Sequence, residues 1–342
     1  MLAAERLRSP MQEHQLHELR RDKWRLNGRP LRTLDEAREF IDSVGFCLLY
    51  TQRPAVLLPT FTGASKGTDE NLPTGQMAFA HPEARAAKEL MVRLLREKSA
   101  YEANVFADNN FILSAAAFPY FYALVGDRNL RQPPSAGARS EYSPLAAHAF
   151  QLIEKKGPIP KHLLRELLGG DISEAALDRA LDELWARLRI TRVDYKPDEG
   201  VFWDVLVRWS PEAVKEGAQV PVAGALTALV SKYLECVVAV SQEELEQFFS
   251  HFVGRARVRE AVNALQAARE LSYVHVGGRV MLHSASLQVP PPSETQPNLE
   301  GTPIRPGQPL VQRRRNLASR RKRLGPSTAL KPKPPRQDTG TE

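Results

Sequence analysis

The sequence predicts a mainly α-helical protein with small β-hairpins and a disordered basic C-terminal tail, and three observations predict it. The first is an internal repeat between Ser143 and Ser284, in which one apolar pattern occurs twice, 81 positions apart. Ile159 falls on Val240, Leu164 on Leu245, Leu167 on Phe248, Leu177 on Val258, Leu184 on Leu265 and Val193 on Val274. A repeat at fixed spacing constrains a fold more than any single motif. The second is a change of apolar period inside each copy, from helical spacing to short β-rich runs around a turn. The third is charge: Gly301–Glu342 holds 11 Lys/Arg against two acids, while the rest of the chain holds 36 against 38. Helix, helix, helix, hairpin is a helix-turn-helix with a wing. The expected architecture is therefore tandem winged-helix domains followed by the tail.

Residues 1–32 read as a polar extension, with a helix over MQEHQLHELRRDKWRL and Trp24 docking on the body. His14 and His17 lie three apart, but no further ligands accompany them, so no metal site is expected. Residues 33–132 read as a helical or winged-helix-like domain. Thr33 is a good N-cap, with Asp35 and Glu36 in the first turn. TLDEAREFIDSVG then forms a helix with Leu34, Ala37, Ile41 and Val44 on its apolar face, and Gly45 stops it. FCLLY is a short buried strand, and the Pro- and Gly-rich stretch from Pro54 to Gly75 is a long loop. PEARAAKELMVRLLREKSA is a helix with Arg85, Lys88, Arg93, Arg96 and Lys98 mostly on its polar side. ANVFADNNFILSAAAFPYFYALVGDRN is the most apolar stretch of the chain and is expected to dock this region onto the repeats.

Residues 133–142 read as a linker, 143–215 as the first winged helix of the repeat, 216–287 as the second, and 288–342 as the tail. First helices are expected at Leu145–Lys155 and Leu226–Glu235. Pro160 and Ser241 suit the starts of the second helices. ITRVDY, KPDEG and VFWDVLVRW should make one hairpin, and SYVHV, GG and RVMLHS the other, where Gly277-Gly278 is a strong two-residue turn.

Composition narrows the function classes. Cys47 and Cys236 sit in apolar runs and read as reduced, buried hydrophobes of a cytoplasmic protein. No run is long and apolar enough to span a membrane. No Gly-rich phosphate loop, metal cluster or nucleophile–base pair is present, so no cofactor is expected.

FIDSVGFCLLY at Phe40–Tyr50, NNFILSAAAFPYFYALVG at Asn109–Gly126 and the two repeat copies resemble a bacterial family. It is that of the winged-helix proteins related to the interstrand-crosslink-repair DNA glycosylases of the azinomycin-resistance type. The chain is more similar to their uncharacterised relatives than to the enzymes, over Thr33 to Ser284. The resemblance implies repair of alkylated or crosslinked DNA in the bacterial cytoplasm, at the nucleoid. In the glycosylases a Gln-aliphatic-Asp or Gln-aliphatic-Gln motif positions the attacking water. Here Asp42 matches the third position and Ile41 the middle one, but Phe40 replaces the glutamine. Asp42 remains the catalytic candidate, because a carboxylate can stabilise a cationic sugar.

The expected partner is duplex or damaged DNA. A winged helix places its third helix in the major groove. In the first copy that helix carries Glu174, Asp178, Asp182 and Glu183, which argues against insertion and leaves a protein-interaction scaffold as an alternative. In the second copy Arg255, Arg257 and Arg259 open the helix, where they suit phosphate. Partial pairing to Glu260 and Glu243 competes with that role. The first wing adds Arg192, Lys196 and Arg208. In the tail, Arg313, Arg314, Arg315, Arg320, Arg321, Lys322 and Arg323 form a run without an acid, suited to salt-sensitive binding of nucleic acid or other acidic partners.

Overall fold

The structure, a computed structural model, describes residues 11–286 apart from 52–55, 73, 75–80, 107–108, 130–131 and 136–140. The basic run from Arg313 to Arg323 lies outside the described residues. Most of the described chain is helical, with small antiparallel sheets.

One element order occurs three times. The first unit is α2 (Leu34–Val44), β1 (Phe46–Leu48), α3 (Phe61–Lys66), α4 (Arg85–Arg96), β2 (Ala100–Phe106) and β3 (Asn109–Ser114). The second is α6 (Pro144–Lys156), β4 (Ile159–Pro160), α7 (Lys161–Leu167), α8 (Glu174–Ala186), β5 (Ile190–Lys196) and β6 (Gly200–Val205). The third is α11 (Val222–Val237), β7 (Ala239–Val240), α12 (Gln242–Phe249), α13 (Arg255–Ala267), β8 (Leu271–Val276) and β9 (Arg279–Ser284). Outside the units stand α1 (Glu13–Lys23), α5 (Phe118–Val125), α9 (Leu206–Trp209) and α10 (Pro211–Gln219). In each sheet the short first strand pairs with the third, which pairs with the second. Local chemistry explains the starts. Thr33, Ser143, Ser173 and Ser241 each accept an amide hydrogen bond from the first turn of the helix they cap.

The apolar registers of the two expected copies occupy equivalent places. Ile159 and Val240 lie on first strands, Leu164 and Leu245 on second helices, Leu177 and Val258 on third helices, all buried. Three local expectations differ. The stretch from Pro54 to Gly75, expected as a long loop, holds α3, capped by the Thr60 side chain, which accepts from the Gly63 amide. LVRW at the end of the first hairpin folds as α9, and α10 bridges the expected boundary at 215/216. A helix there packs on α5, at a close approach. A Cβ on Gly217 would lie 2.7 Å from Tyr122 Cβ and 2.9 Å from the Pro119 carbonyl oxygen.

The first and third units share one core. Phe46 of β1 stacks near Tyr233 of α11, and Tyr233 lies 4.6 Å from Phe248 of α12, centroid to centroid. Phe106 of β2 lies 5.2 Å from the same Phe248, and Phe121 of α5 meets Phe252 edge-on at 5.8 Å. The apolar stretch around Phe106–Phe121 thus docks the N-terminal unit, through rings that bury large areas. The second unit has its own core, with Trp185 and Trp203 crossed at 5.0 Å.

The N-terminal segment clasps the third unit. The Met11 amide donates to the His275 carbonyl at 2.9 Å, beside the second strand of the sheet. Arg20 donates to the carbonyls of Val237 (2.9 Å) and Ala239 (2.6 Å), and Trp24 Nε1 donates to Cys236 (2.8 Å). The carbonyls of Cys236 and Val237 lie in the last turn of α11, where they have no intrahelical partner, and Ala239 opens β7. Val238 there has φ +72°. Removing a donor from buried carbonyls costs their desolvation, about 1–3 kcal/mol. Arg20→Ala is therefore expected to lower unfolding stability by about that amount, read as an earlier urea midpoint, with faster amide exchange at Ala239 and Val240.

Candidate nucleic-acid interface

The third helix of each unit meets a different environment. Helix α8 is turned inward. Trp185 Nε1 donates to the Glu102 carbonyl of β2 at 3.2 Å, and Asp182 accepts from Asn104 at 3.3 Å. Its acids are used locally: Lys161 pairs with Glu174 (2.9 Å) and Asp178 (2.6 Å), Arg165 pairs with Glu174 (2.9 Å), and Glu183 accepts from the Ser143 amide at 2.7 Å. Glu174, Asp178 and Glu183 thus have partners in their own unit, and Asp182 has one in the first.

Helix α13 packs chiefly on α11, α12 and β8 of its own unit. Its N-cap is Gly254, which has no side chain to occupy the first-turn amides. The side chains of Arg255 and Arg257 are exposed and make no hydrogen bond or ion pair among the described residues. Arg259 differs. Its guanidinium grips Glu246 of α12 in a two-point pair, Nε to Oε1 at 2.9 Å and Nη2 to Oε2 at 2.8 Å. Glu246, rather than the neighbours Glu243 and Glu260, is the partner, and the fork is engaged as carboxylates engage arginine generally.

The first wing is divided in the same way. Lys196 is exposed, pairs with Glu199 at 3.0 Å and lies 4.3 Å over the Phe202 ring. Arg208 is held by Asp204 and donates to the Ile153 carbonyl at the end of α6. Arg192 points inward. It donates to Glu102 Oε1 at 2.8 Å and lies 4.2 Å from the Trp185 ring and 5.0 Å from Trp203. The Glu102 side chain is fully buried and also accepts from Tyr195 (2.9 Å) and Asn110 (2.6 Å). Burial pushes the Tyr195 hydroxyl well above its ordinary value and keeps it a donor. Arg192 is thus a link between units, and its guanidinium is spent before any phosphate arrives.

Asp42 lies on the exposed side of α2. Partial burial raises its pKa, opposed by the charges of Lys232 and Arg38. It makes no hydrogen bond or ion pair among the described residues. Phe40, two residues earlier, is 1% exposed and packs 6.4 Å from Phe61. Two residues of helix are about 200° of rotation, so the two positions face opposite sides. Even a glutamine at 40 would enter the core.

One basic surface, read in the sequence only as the polar side of a helix, had no role assigned to it. Arg85, Lys88, Arg93 and Arg96 recur along a single face of α4, the third helix of the first unit. Their spacing of three, five and three was a visible signal, because such positions share a helical face. Among the described residues no group of three or more His, Cys, Asp or Glu is placed to hold a metal.

The internal pairs have measurable consequences. Arg192→Ala leaves a buried carboxylate without its cation, so about 3–5 kcal/mol of stability should be lost in urea unfolding. The Arg259 hydrogen bond, the largest cause, holds Glu246 below its ordinary value of 4.5. A depressed folded pKa stabilises above the unfolded value and loses that stabilisation as pH falls through the folded one. The Arg259→Ala defect should therefore be full at neutral pH and shrink below about pH 4.5, in denaturant midpoints taken across that range.

Residues 74–318 match the model of a protein family described as DNA glycosylase AlkZ-like. Asp42 lies outside the matched residues. Among solved structures, the DNA glycosylase AlkZ of Streptomyces sahachiroi is similar, with a TM-score of 0.52, 11% identity, and coverage of 80% of this chain and 70% of that one. At that identity the likeness is one of fold. No curated protein matches the sequence. The family match spans well over half of the 342 residues, and the chain belongs to the AlkZ-like DNA glycosylase family.

Proposed function

We propose that the chain is a DNA-repair protein that grips DNA through tandem winged helices, with α13 presented to the phosphate backbone. The carrying observation is the start of α13. The side chains of Arg255 and Arg257 make no hydrogen bond or ion pair among the described residues, beside first-turn amides that no side chain caps. Free amides and the positive end of the helix dipole favour an anion there, and arginine forks suit phosphate. Helix, strand, helix, helix and hairpin, in the same strand order three times over, supports the winged-helix reading. The basic run Arg313–Arg323 supplies a second, sequence-independent attachment, and family membership supports DNA as the partner. Action at the nucleoid, in the cytoplasm, follows from that role.

Base excision is the second reading, favoured by the family and by an Asp42 carboxylate that no neighbour has claimed. In this chain Asp42 would act without a polar companion at position 40, by stabilising positive charge on the sugar as the base departs.

Each reading has its own measurement. Fluorescence anisotropy on duplex DNA should show weaker, less salt-dependent binding for Arg255→Ala/Arg257→Ala and for a chain lacking 301–342, with the salt slope shallower by about one for each phosphate contact removed. Wild-type affinity in both variants rejects the binding mode. For excision, wild type should release bases from alkylated or crosslinked DNA and Asp42→Asn should not. An absence of release by wild type across several lesions ends that reading and leaves the binding one standing.

A further inference from the structure

We propose that the groove between α4 and the β5–β6 hairpin is a phosphodiester-binding site that holds one strand of DNA, an assignment that rests on the reading that the chain binds DNA. The groove has a volume of about 590 Å³. Arg85, Lys88, Arg93 and Arg96 of α4 line it from one side and Lys196 of β5 from the other, against one acid, Glu89. Val92, Tyr195 and Pro197 add less polar surface, and His81 and Pro82 complete the lining.

Several of these cations already have partners. Arg96 pairs with Asp194 at 2.8 Å, Lys196 with Glu199 at 3.0 Å, and Lys88 lies 5.7 Å over the Tyr195 ring. The side chains of Arg85 and Arg93 are exposed and have no hydrogen bond or ion pair among the described residues. They are eight residues apart, so they share a face and are separated by about 12 Å along the axis. Phosphates of one strand succeed one another every 3.4 Å or so along a duplex axis, so that interval covers about three to four of them. Cations strung along a groove suit a linear polyanion. A small anion would call for donors converging on one point. The apolar lining gives the sugars of such a strand a surface to lie on.

The groove is also preformed. Its two walls belong to different units, and two contacts fix them together: the Arg96–Asp194 pair across the rim, and the buried Glu102 with Arg192 and Tyr195 beneath it. A site that does not have to be ordered on binding keeps more of its interaction energy as affinity. Built by the first and second units, this surface shares no lining residue with the α13 end of the third.

The test uses the full chain with a 20-base-pair duplex and a single strand of the same length, followed by anisotropy across a salt series. The variants are Arg85→Ala/Arg93→Ala and a charge-matched control, Lys155→Ala/Lys156→Ala, on exposed lysines at the end of α6 outside the groove. The arginine pair should weaken binding about tenfold near 0.1 M salt and make the log–log salt slope shallower by about two, while the control keeps the wild-type slope. Wild-type binding by the arginine variant overturns the groove assignment alone. An equal loss in the control overturns it too, because net charge would then explain the effect. Failure of wild type to bind either probe overturns the DNA reading and this site with it.

Discussion

The buried Glu102 carboxylate organises the molecule. It sits on the middle of β2 and receives Arg192 and Tyr195 from the second unit and Asn110 from its own sheet. A carboxylate in the interior is tolerable only when its charge and lone pairs are answered. Answering it requires the first hairpin of the second unit to lie against the first sheet. That contact places α8 under the first unit, brings Asp194 within reach of Arg96, and opens the α4 groove on the same side. It also withdraws Arg192 from solvent. Removal of one partner therefore changes both the stability of the chain and the alignment of its basic surface.

Much of the fold was legible in the sequence, for reasons that can be named. The repeat around Leu177/Val258 and Leu184/Leu265 kept its register because the connections between second and third helices are nearly equal, Leu168–Ser173 and Ser250–Gly254. The first unit has the same element order, yet its corresponding connection runs from Gly67 to Ala84. That insertion destroys constant spacing, so periodicity alone could not align it with the others. The winged-helix expectation for residues 33–132 came from local helices and strands, and the sheet order is a long-range property that no local pattern carries. The four residues after Val205 illustrate the limit: Leu206–Trp209 alternates passably as strand, but the chain turns helical to lead into α10.

The candidate site was less legible, because a charge is defined by its partner. Arg192 reads as an outward residue of an alternating strand. The outer face of that strand is covered by the first unit, and a register shift between Arg192 and Asp194 adjusts where the side chains point. Arg259 reads as one of three arginines that open the helix. Its partner, Glu246, lies 13 residues away on another helix, beyond the reach of local spacing rules. Phe40 and Asp42 are two residues apart in a motif, and only their helical setting reveals that they diverge.

These pairings explain how a nearly neutral body can offer positive surface. Outside the tail the chain has slightly more acids than basic residues, so no face is basic by composition. The acids are not spread evenly over the basic groups, however. Those of α8 are matched to Lys161 and Arg165, Glu246 to Arg259, Glu102 to Arg192, and Asp204 to Arg208. What remains after subtraction includes Arg85 and Arg93 on α4, and Arg255 and Arg257 on α13, each pair on a third helix and each exposed. Exposed pairs contribute little to stability, so leaving these four without acids costs the fold little, while an approaching phosphate finds donors with no carboxylate to displace. The fold thus uses its acids to remove cations from the interior interfaces and leaves them available where the third helices of its outer units meet solvent.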